Sequence, residues 1–325
     1  MEKRKLGQLE VGAVGLGCMG FSHAYGAPTE KNEAIQKIRE SYEMGYTFFD
    51  TAECYLGTNA DGSTSYNEEL VGEALKEVRN HVVIATKCGV MHSPQGLLTD
   101  SRPDTIRKSV EGSLKKLGVD TIDLYYQHRI DPKVSPEEVA GTMSELIKEG
   151  KIRFWGISET DEMYLKRANA VCQVSAIQNR YSMMAREYEN LFPVLEELDI
   201  GFVAFSPMGN GFLSGKYSKE SKFDSKTDFR SFMPQYTEKG MEQSQPILDL
   251  LHKLSEEKGA TPAQISLAWM LCKKPYIVPI PGSRKTERLK ENIGSADIVL
   301  TNSEIKEIDE VLDQMSMPVY SGKKS

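Results

Sequence analysis

The chain has 325 residues, of which 39% are hydrophobic and 27% are charged, and its formal net charge is −7. These values are typical of a folded globular protein, so a largely disordered chain is not the default expectation. The negative charge offers no general attraction to nucleic acid or to an anionic membrane surface, so we expect neither as a partner.

The cysteine and histidine positions favour a reducing compartment and no metal centre. The five cysteines lack the spacing of a disulfide framework or a thiolate zinc site, and the histidines lack metal-ligand spacing. The amino terminus has no apolar signal-peptide run, and no segment approaches the roughly 18 apolar residues of a membrane span. We therefore expect a cytoplasmic protein with free thiols.

Eight apolar, β-rich segments recur along the chain, separated by segments with helical periodicity. The predicted strands are residues 11–16, 47–51, 82–87, 122–127, 154–158, 176–181, 202–206 and 276–280. Eight such units without a dividing linker predict an α/β fold, a (β/α)₈ TIM barrel formed by residues 1–325 as a single domain. An open doubly wound sheet is the alternative.

Local signals predict where the other elements begin and end. Predicted helices start at Thr29, Pro103, Pro136 and Thr261 and end near Gly45, Gly118, Gly150 and Cys272. Residues 1–10 predict a hairpin that closes the barrel floor, and residues 301–304 predict the cap of a C-terminal helix. Residues 217–245 are charged and have little apolar periodicity, which predicts a lid or a disordered segment.

The segment Gly15-Leu-Gly-Cys-Met-Gly20 matches the dinucleotide-binding pattern GxGxxG. In that motif the third glycine opens a helix whose amide groups face a pyrophosphate. Gly20 leads instead into a turn-rich segment, residues 21–28. We therefore predict a strand-end loop in which glycines let the backbone approach a ligand closely.

Three consecutive predicted strands end in polar residues. Asp50 ends one strand and Tyr55 follows in the next loop, while Lys87 and His128 end the next two strands. Each residue alone has an ordinary structural explanation, such as a turn cap or a solvated side chain. Because barrel closure brings adjacent strand ends together, and buried charges need partners, we predict one catalytic cluster.

This cluster resembles the Asp, Tyr, Lys, His tetrad of the aldo-keto reductase family, and the similarity covers nearly the whole chain. Further matching segments, in the same order, are Asn67-Glu-Glu-Leu-Val-Gly72, Gly150-Lys-Ile-Arg-Phe-Trp-Gly-Ile-Ser158, Gln178-Asn-Arg-Tyr-Ser182, Ala204-Phe-Ser-Pro-Met-Gly209 and Ile280-Pro-Gly-Ser283. The resemblance implies an NADPH-dependent reductase of aldehydes or ketones with Tyr55 as general acid. Asp50 then holds Lys87 charged, Lys87 lowers the pKa of Tyr55, and a neutral His128 orients the carbonyl.

The predicted cofactor site begins where residues 280–288 lead from the eighth strand into a helix. Arg284, Lys285 and Arg288 oppose the dipole at that helix start, which indicates a bound anion, and guanidinium groups suit a 2′-phosphate. The resemblance implies that Ser158 and Gln178 hold the nicotinamide carboxamide beneath a stacked Phe205. The full predicted cofactor-binding set is Gly17, Cys18, Met19, Ser158, Gln178, Phe205, Ser206, Pro207, Met208, Gly209, Gly215, Lys216, Gly282, Ser283, Arg284, Arg288, Glu291 and Asn292.

The sequence also departs from the family pattern. Residues 56–66 are longer than the usual link after the tyrosine, Asn210 replaces a frequent arginine, Glu159 replaces an asparagine, and Met19 replaces a frequent aromatic residue. These differences leave the carbonyl substrate open. The alternative function is a regulatory subunit that binds the cofactor with little turnover, and a metal-dependent barrel hydrolase is a third hypothesis.

Overall fold

The structure is a computed structural model that describes residues 2–93, 96–224 and 228–315. Its strands are β1 (Lys3–Leu6), β2 (Leu9–Gly12), β3 (Leu16–Gly17), β4 (Phe48–Asp50), β5 (Leu56–Thr58), β6 (Thr64–Tyr66), β7 (Val83–Cys88), β8 (Val90–Ser93), β9 (Gly96–Thr99), β10 (Ile122–Gln127), β11 (Ile152–Ser158), β12 (Ala176–Arg180), β13 (Gly201–Phe205) and β14 (Ile277–Pro279). Its α-helices are α1 (Lys31–Glu43), α2 (Asn67–Leu75), α3 (Pro103–Leu117), α4 (Pro136–Lys148), α5 (Glu162–Val171), α6 (Phe192–Leu198), α7 (Glu238–Lys258), α8 (Pro262–Lys273), α9 (Thr286–Ile293) and α10 (Asn302–Gln314).

Eight of these strands form one parallel sheet in the order β3-β4-β7-β10-β11-β12-β13-β14. The amide of Gly15 donates a hydrogen bond of 3.0 Å to the carbonyl of Pro279, which links the two edges of the sheet. The predicted (β/α)₈ barrel is confirmed. The first predicted strand, residues 11–16, is corrected, because its start belongs to β2 and only β3 joins the barrel.

Two glycines permit close contact where β3 meets the end of β14. A Cβ atom on Gly17 would lie 2.7 Å from the Ile280 carbonyl oxygen, and one on Gly282 would lie 2.6 Å from the Gly17 carbonyl oxygen. At Gly17 the backbone therefore approaches another strand. Gly20 lies in a short 3₁₀ turn, and the next α-helix starts only at Lys31, unlike a dinucleotide-binding helix start.

The amino-terminal hairpin covers the floor of the barrel, as predicted. β1 and β2 pair antiparallel, and Leu6 is completely buried. A Cβ atom on Gly201 would lie 2.6 Å from Leu6 Cα, so the hairpin packs directly on β13. Met1, which the predicted hairpin range includes, lies outside the described residues.

Most predicted helix starts are confirmed, since prolines open α3, α4 and α8 and Thr301 caps α10 through a capping box. The predicted Thr29 cap is wrong: a Glu30 carboxylate oxygen accepts the Glu33 amide at 3.0 Å. A capping side chain has to reach the amide three residues later. Because α1 begins at Lys31, the residue in the capping position is Glu30 and not Thr29.

Residues 238–245 of the long charged segment are helical, which corrects the end of the predicted lid or disordered segment. α7 begins at Glu238, because the Thr237 hydroxyl accepts the Gly240 amide and Gly240 packs against the Pro234 carbonyl. Before it, residues 229–236 form two 3₁₀ turns, and residues 225–227 lie outside the described residues. The extended link at residues 56–66 forms the hairpin β5-β6. Within the described residues, no helix is long and apolar enough to cross a membrane.

Candidate active site

The four predicted catalytic residues meet at the carboxyl end of the barrel, which is where barrel enzymes carry their sites. Asp50 ends β4, Lys87 lies one residue before the end of β7, and His128 follows β10. Tyr55 lies in the connection between β4 and β5. These three strands are neighbours in the sheet, so their ends lie side by side.

Lys87 connects the cluster. Its side chain is completely buried, and its ammonium donates to Asp50 Oδ1 at 2.5 Å, to the Thr51 carbonyl at 2.7 Å and to Tyr55 Oη at 3.2 Å. An ammonium has three protons, so all of them are used. The second Asp50 oxygen accepts Gln178 Nε2 at 2.7 Å. These bonds fix the position of the phenol oxygen relative to the ammonium.

The pKa shifts of this group follow from burial and pairing. Burial raises the pKa of the Asp50 carboxyl, although Lys87 and Gln178 oppose the change. Burial lowers the pKa of Lys87, but Asp50 and Tyr55 together outweigh it, so the net pKa of Lys87 is raised. The ammonium and carboxylate form a pair with little net charge.

The expected acidification of Tyr55 is not what the structure gives. Burial raises the pKa of the Tyr55 phenol, Lys87 lowers it, and Asp50 raises it again. The net pKa lies above the ordinary value of 10.0. Because burial, together with the Asp50 carboxylate, outweighs the effect of the ammonium on the pKa, the phenol keeps its proton at neutral pH.

His128 lies next to the phenol as a neutral imidazole, in agreement with the prediction. Burial lowers its pKa well below the usual range, and the cations of Arg129 and Lys87 act in the same direction. The rings of Tyr55 and His128 are nearly perpendicular, with centroids 5.8 Å apart. The imidazole Nδ1 lies 3.4 Å from the Cys54 Sγ, a contact that the sequence did not reveal.

Asn67, the first residue of α2, connects the loop that carries Tyr55 (residues 51–55) to the segment after β3. Its carbonyl oxygen accepts the Thr51 hydroxyl at 2.7 Å, and its amide donates to the Cys18 carbonyl at 3.0 Å and to Ser22 Oγ at 2.7 Å. Cys18 is fully buried, and its thiol contacts the Leu16 carbonyl. Among the three predicted cofactor-binding residues of this segment, Gly17 and Met19 are partly exposed and Cys18 is buried.

Two of the three predicted nicotinamide residues, Ser158 and Phe205, contact Arg129, which was not among the predicted residues. Its guanidinium donates to Ser158 Oγ at 3.0 Å and lies 5.9 Å from the centre of the Phe205 ring. Gln178 is bonded to Asp50 as described. Among the described residues Arg129 forms no ion pair. Its position directly after His128, at a strand end, was the available signal.

The predicted phosphate site is built around Arg284, which also ties together distant segments. Its Nε donates to the Gly20 carbonyl at 2.5 Å and its Nη1 to the Ala27 carbonyl at 2.9 Å. Its Nη2 is buried and has no hydrogen-bond partner in the described part of the chain. An unsatisfied guanidinium donor beside the start of α9 fits an anionic group such as a phosphate.

The other predicted cofactor residues line the connection after β13 and the face of α9. Lys216 pairs with Glu291 at 3.7 Å, which joins these two regions. Ser206 has a φ of +50°, a strained value for a residue with a Cβ atom, as is frequent at functional sites. The Ser283 hydroxyl accepts the Lys285 amide. The exposed members are Lys216 and Gly282, the partly exposed ones are Ser206, Met208, Gly215, Ser283, Arg284, Arg288 and Glu291, and the buried ones are Pro207, Gly209 and Asn292.

Two further histidines border the site. The rings of His23 and His92 lie 4.8 Å apart, and His23 stacks on Tyr55 at 6.1 Å. His23 and Leu56 also line a cavity of about 390 Å³ between the segment after β3 and strand β5. Sequence spacing could not reveal this, because His23 lies in the segment after β3 and His92 lies in β8. Within the described residues, no group of three or more His, Cys, Asp or Glu could hold a metal ion.

A phenol held beside an ammonium at the open end of a parallel barrel suits proton transfer to a carbonyl oxygen. The fold and the site therefore define an oxidoreductase that acts on carbonyl compounds.

Comparison with known proteins gives the family. The model of the Aldo/keto reductase family matches residues 13–313. An aldo-keto reductase of Strobilurus tenacellus is 36% identical over 326 residues, covering 97% of this chain and 93% of that protein. A probable aldo-keto reductase of Glycine max is 37% identical over 306 residues, covering 93% and 86%. The solved structure of a glycerol dehydrogenase from Gluconobacter oxydans superposes with a TM-score of 0.85 at 27% identity, covering 99% and 98%. The chain belongs to the aldo/keto reductase family, whose members use nicotinamide cofactors.

Proposed function

We propose that the chain reduces aldehydes or ketones to alcohols with NADPH, and that Tyr55 donates the proton. The observation that carries this proposal is the 3.2 Å contact between Lys87 Nζ and Tyr55 Oη. Because Lys87 donates in this contact, the phenol oxygen accepts, and the phenol's own proton stays available for a substrate oxygen.

Each of the four tetrad residues has a separate role in proton transfer. NADPH, when bound, supplies a hydride to the carbonyl carbon. The Tyr55 phenol is protonated at neutral pH, so it can deliver a proton to the developing alkoxide. The Lys87 ammonium then stabilises the phenolate that remains, and Asp50 keeps Lys87 in place. A neutral His128 serves as a hydrogen-bond donor that orients the carbonyl.

The phosphate site favours NADPH over NADH. The buried Nη2 of Arg284 needs an acceptor, and Arg288 and Ser283 lie at the same helix start. The predicted roles of the remaining cofactor residues stay part of this proposal. The Ser158 hydroxyl accepts a hydrogen bond from Arg129, which leaves its own proton free to donate to the carboxamide oxygen.

Three broader predictions belong to the same proposal. Residues 1–325 form one domain, which the hydrogen bond between Gly15 and Pro279 supports, although residues 1, 94–95, 225–227 and 316–325 lie outside the described residues. A cytoplasmic location is supported by five cysteines that are all free thiols. The close contacts of the tetrad favour an enzyme over a regulatory subunit with little turnover.

Cofactor preference tests the proposal. Oxidation of NADPH and of NADH is followed by absorbance with a panel of aldehydes and ketones. We expect turnover at a much lower cofactor concentration with NADPH than with NADH. Arg288→Ala removes a charge-assisted phosphate contact and should raise the KM for NADPH at least about tenfold, with little change for NADH. Lys290→Ala, an exposed lysine of the same helix, is the matched control. Equal use of both cofactors, or an equal loss with both, contradicts the NADPH assignment.

A further inference from the structure

The thiol of Cys54 contacts the imidazole of His128 beside the proposed site. Sγ lies 3.4 Å from Nδ1, and the side chains are only 5% and 7% exposed. Cys54 directly precedes Tyr55 and packs against Ala52 and Val90, so its position is fixed by the same loop that carries the phenol. The proposed function does not use this contact.

Both partners are uncharged at neutral pH. Burial raises the pKa of the Cys54 thiol to about 12, so the sulfur carries its proton. Burial lowers the pKa of His128 well below its usual range, so the imidazole holds one proton. A neutral imidazole donates from one ring nitrogen and accepts at the other, and the partner of one nitrogen decides which is which.

We propose that Cys54 is a positioning residue whose S–H group donates to Nδ1 and thereby holds the His128 proton on Nε2. Nε2 makes no hydrogen bond to any described residue, so it is the nitrogen available to a substrate. With the proton on Nε2, His128 and Tyr55 both present donors to the carbonyl oxygen. With the proton on Nδ1, His128 presents a lone pair that repels this oxygen and competes for the phenol proton.

The inference rests on the proposed function, because His128 needs the Nε2 proton only if it orients a carbonyl. No bond is made or broken at sulfur, and the thiol keeps its proton throughout. The role of Cys54 is therefore to select one of two neutral forms of a neighbouring side chain.

Two substitutions at Cys54 test whether its side chain acts as a hydrogen-bond donor. Cys54→Ser keeps a hydrogen-bond donor, and Cys54→Ala differs from it only by the missing hydroxyl. We expect kcat of the serine variant within about twofold of the wild type, and kcat of the alanine variant lower by roughly fivefold to tenfold. The dissociation constant for NADPH should be unchanged in both, and Cys172→Ala, at the residue that follows the last turn of α5, serves as the control.

The tautomer of His128 is measured directly by NMR on protein carrying ¹⁵N-labelled histidine. We expect the proton on Nε2 in the wild type and the serine variant, and a mixture of both forms in the alanine variant. A wild-type proton on Nδ1, or the same tautomer in the serine and alanine variants, overturns the inference. The wild-type spectrum decides this even if the alanine variant does not fold.

This readout is independent of turnover. If the wild type fails to reduce any carbonyl but the tautomer still depends on the residue at position 54, the proposed function fails and the positioning role stands. If turnover is normal and the tautomer does not respond, the positioning role fails alone.

Discussion

Lys87 lies entirely out of solvent and donates its three protons to Asp50, Thr51 and Tyr55. The sequence could predict this grouping, because ends of neighbouring parallel strands meet in a barrel. It could not predict the net shift of the Tyr55 pKa. That shift depends on the depth of burial and on how far Asp50 cancels the charge of Lys87, and both are properties of the folded site.

Removing the charge of Lys87 tests the buried pair. Lys87→Met leaves the Asp50 carboxylate with Gln178 as its remaining side-chain partner, which should lower the free energy of unfolding by about 3–5 kcal/mol. The double variant Asp50→Asn with Lys87→Met removes both charges and should recover more than half of this loss. Urea denaturation measures the free energy of unfolding of the single and the double variant. A loss below about 1 kcal/mol in the single variant would show that the pair is not buried as described.

The pH dependence of reduction tests the protonation of Tyr55. A general acid must be protonated, so kcat/KM should be level through neutral pH and fall only as pH rises through the raised pKa of Tyr55, above the ordinary value of 10.0. His128 should add no titration between about pH 6 and 8, because its pKa is lowered. A fall centred below about pH 9 would indicate instead that Lys87 makes the phenol acidic.

At the scale of elements, proline and glycine positions predicted helix boundaries well. Pro103 and Pro136 begin α3 and α4, and Gly118 ends α3 in a left-handed conformation with a φ of +64°. The start of α7 was missed, because its first turn is charged and depends on a close backbone contact: Gly240 must pack on the Pro234 carbonyl. Periodicity describes one face of an element and does not record such contacts.

The floor hairpin offers a test of stability that is separate from catalysis. Leu6→Ala leaves a cavity between β1 and β13 and should lower the free energy of unfolding by roughly 2–5 kcal/mol. Because Leu6 lies at the end of the barrel opposite the site, kcat should stay close to the wild type at temperatures where the variant is folded. Lys5→Ala, on the exposed face of β1, should change stability by less than about 0.5 kcal/mol. Equal effects of the two substitutions would contradict the packing described.

At the scale of the whole molecule, the number and spacing of the segments predicted the barrel. The sequence did not predict how distant segments meet across the site. Arg284 donates to the carbonyl of Gly20, 264 residues earlier, so the proposed phosphate site also holds the loop after β3. Arg129, His92 and Cys54 were likewise missed, since side-chain contacts between segments that are distant in the sequence leave no periodic signal.

The central claim is that the Tyr55 hydroxyl supplies the proton while Lys87 and Asp50 hold it in place. Tyr55→Phe removes only this hydroxyl and leaves the buried ion pair intact, and Tyr66→Phe at the end of β6 is the matched control. In a single-turnover experiment with NADPH and a reducible aldehyde, the rate of NADPH oxidation by Tyr55→Phe should fall at least about 100-fold, with unchanged NADPH affinity. A Tyr55→Phe rate within a few-fold of the wild type would contradict the account.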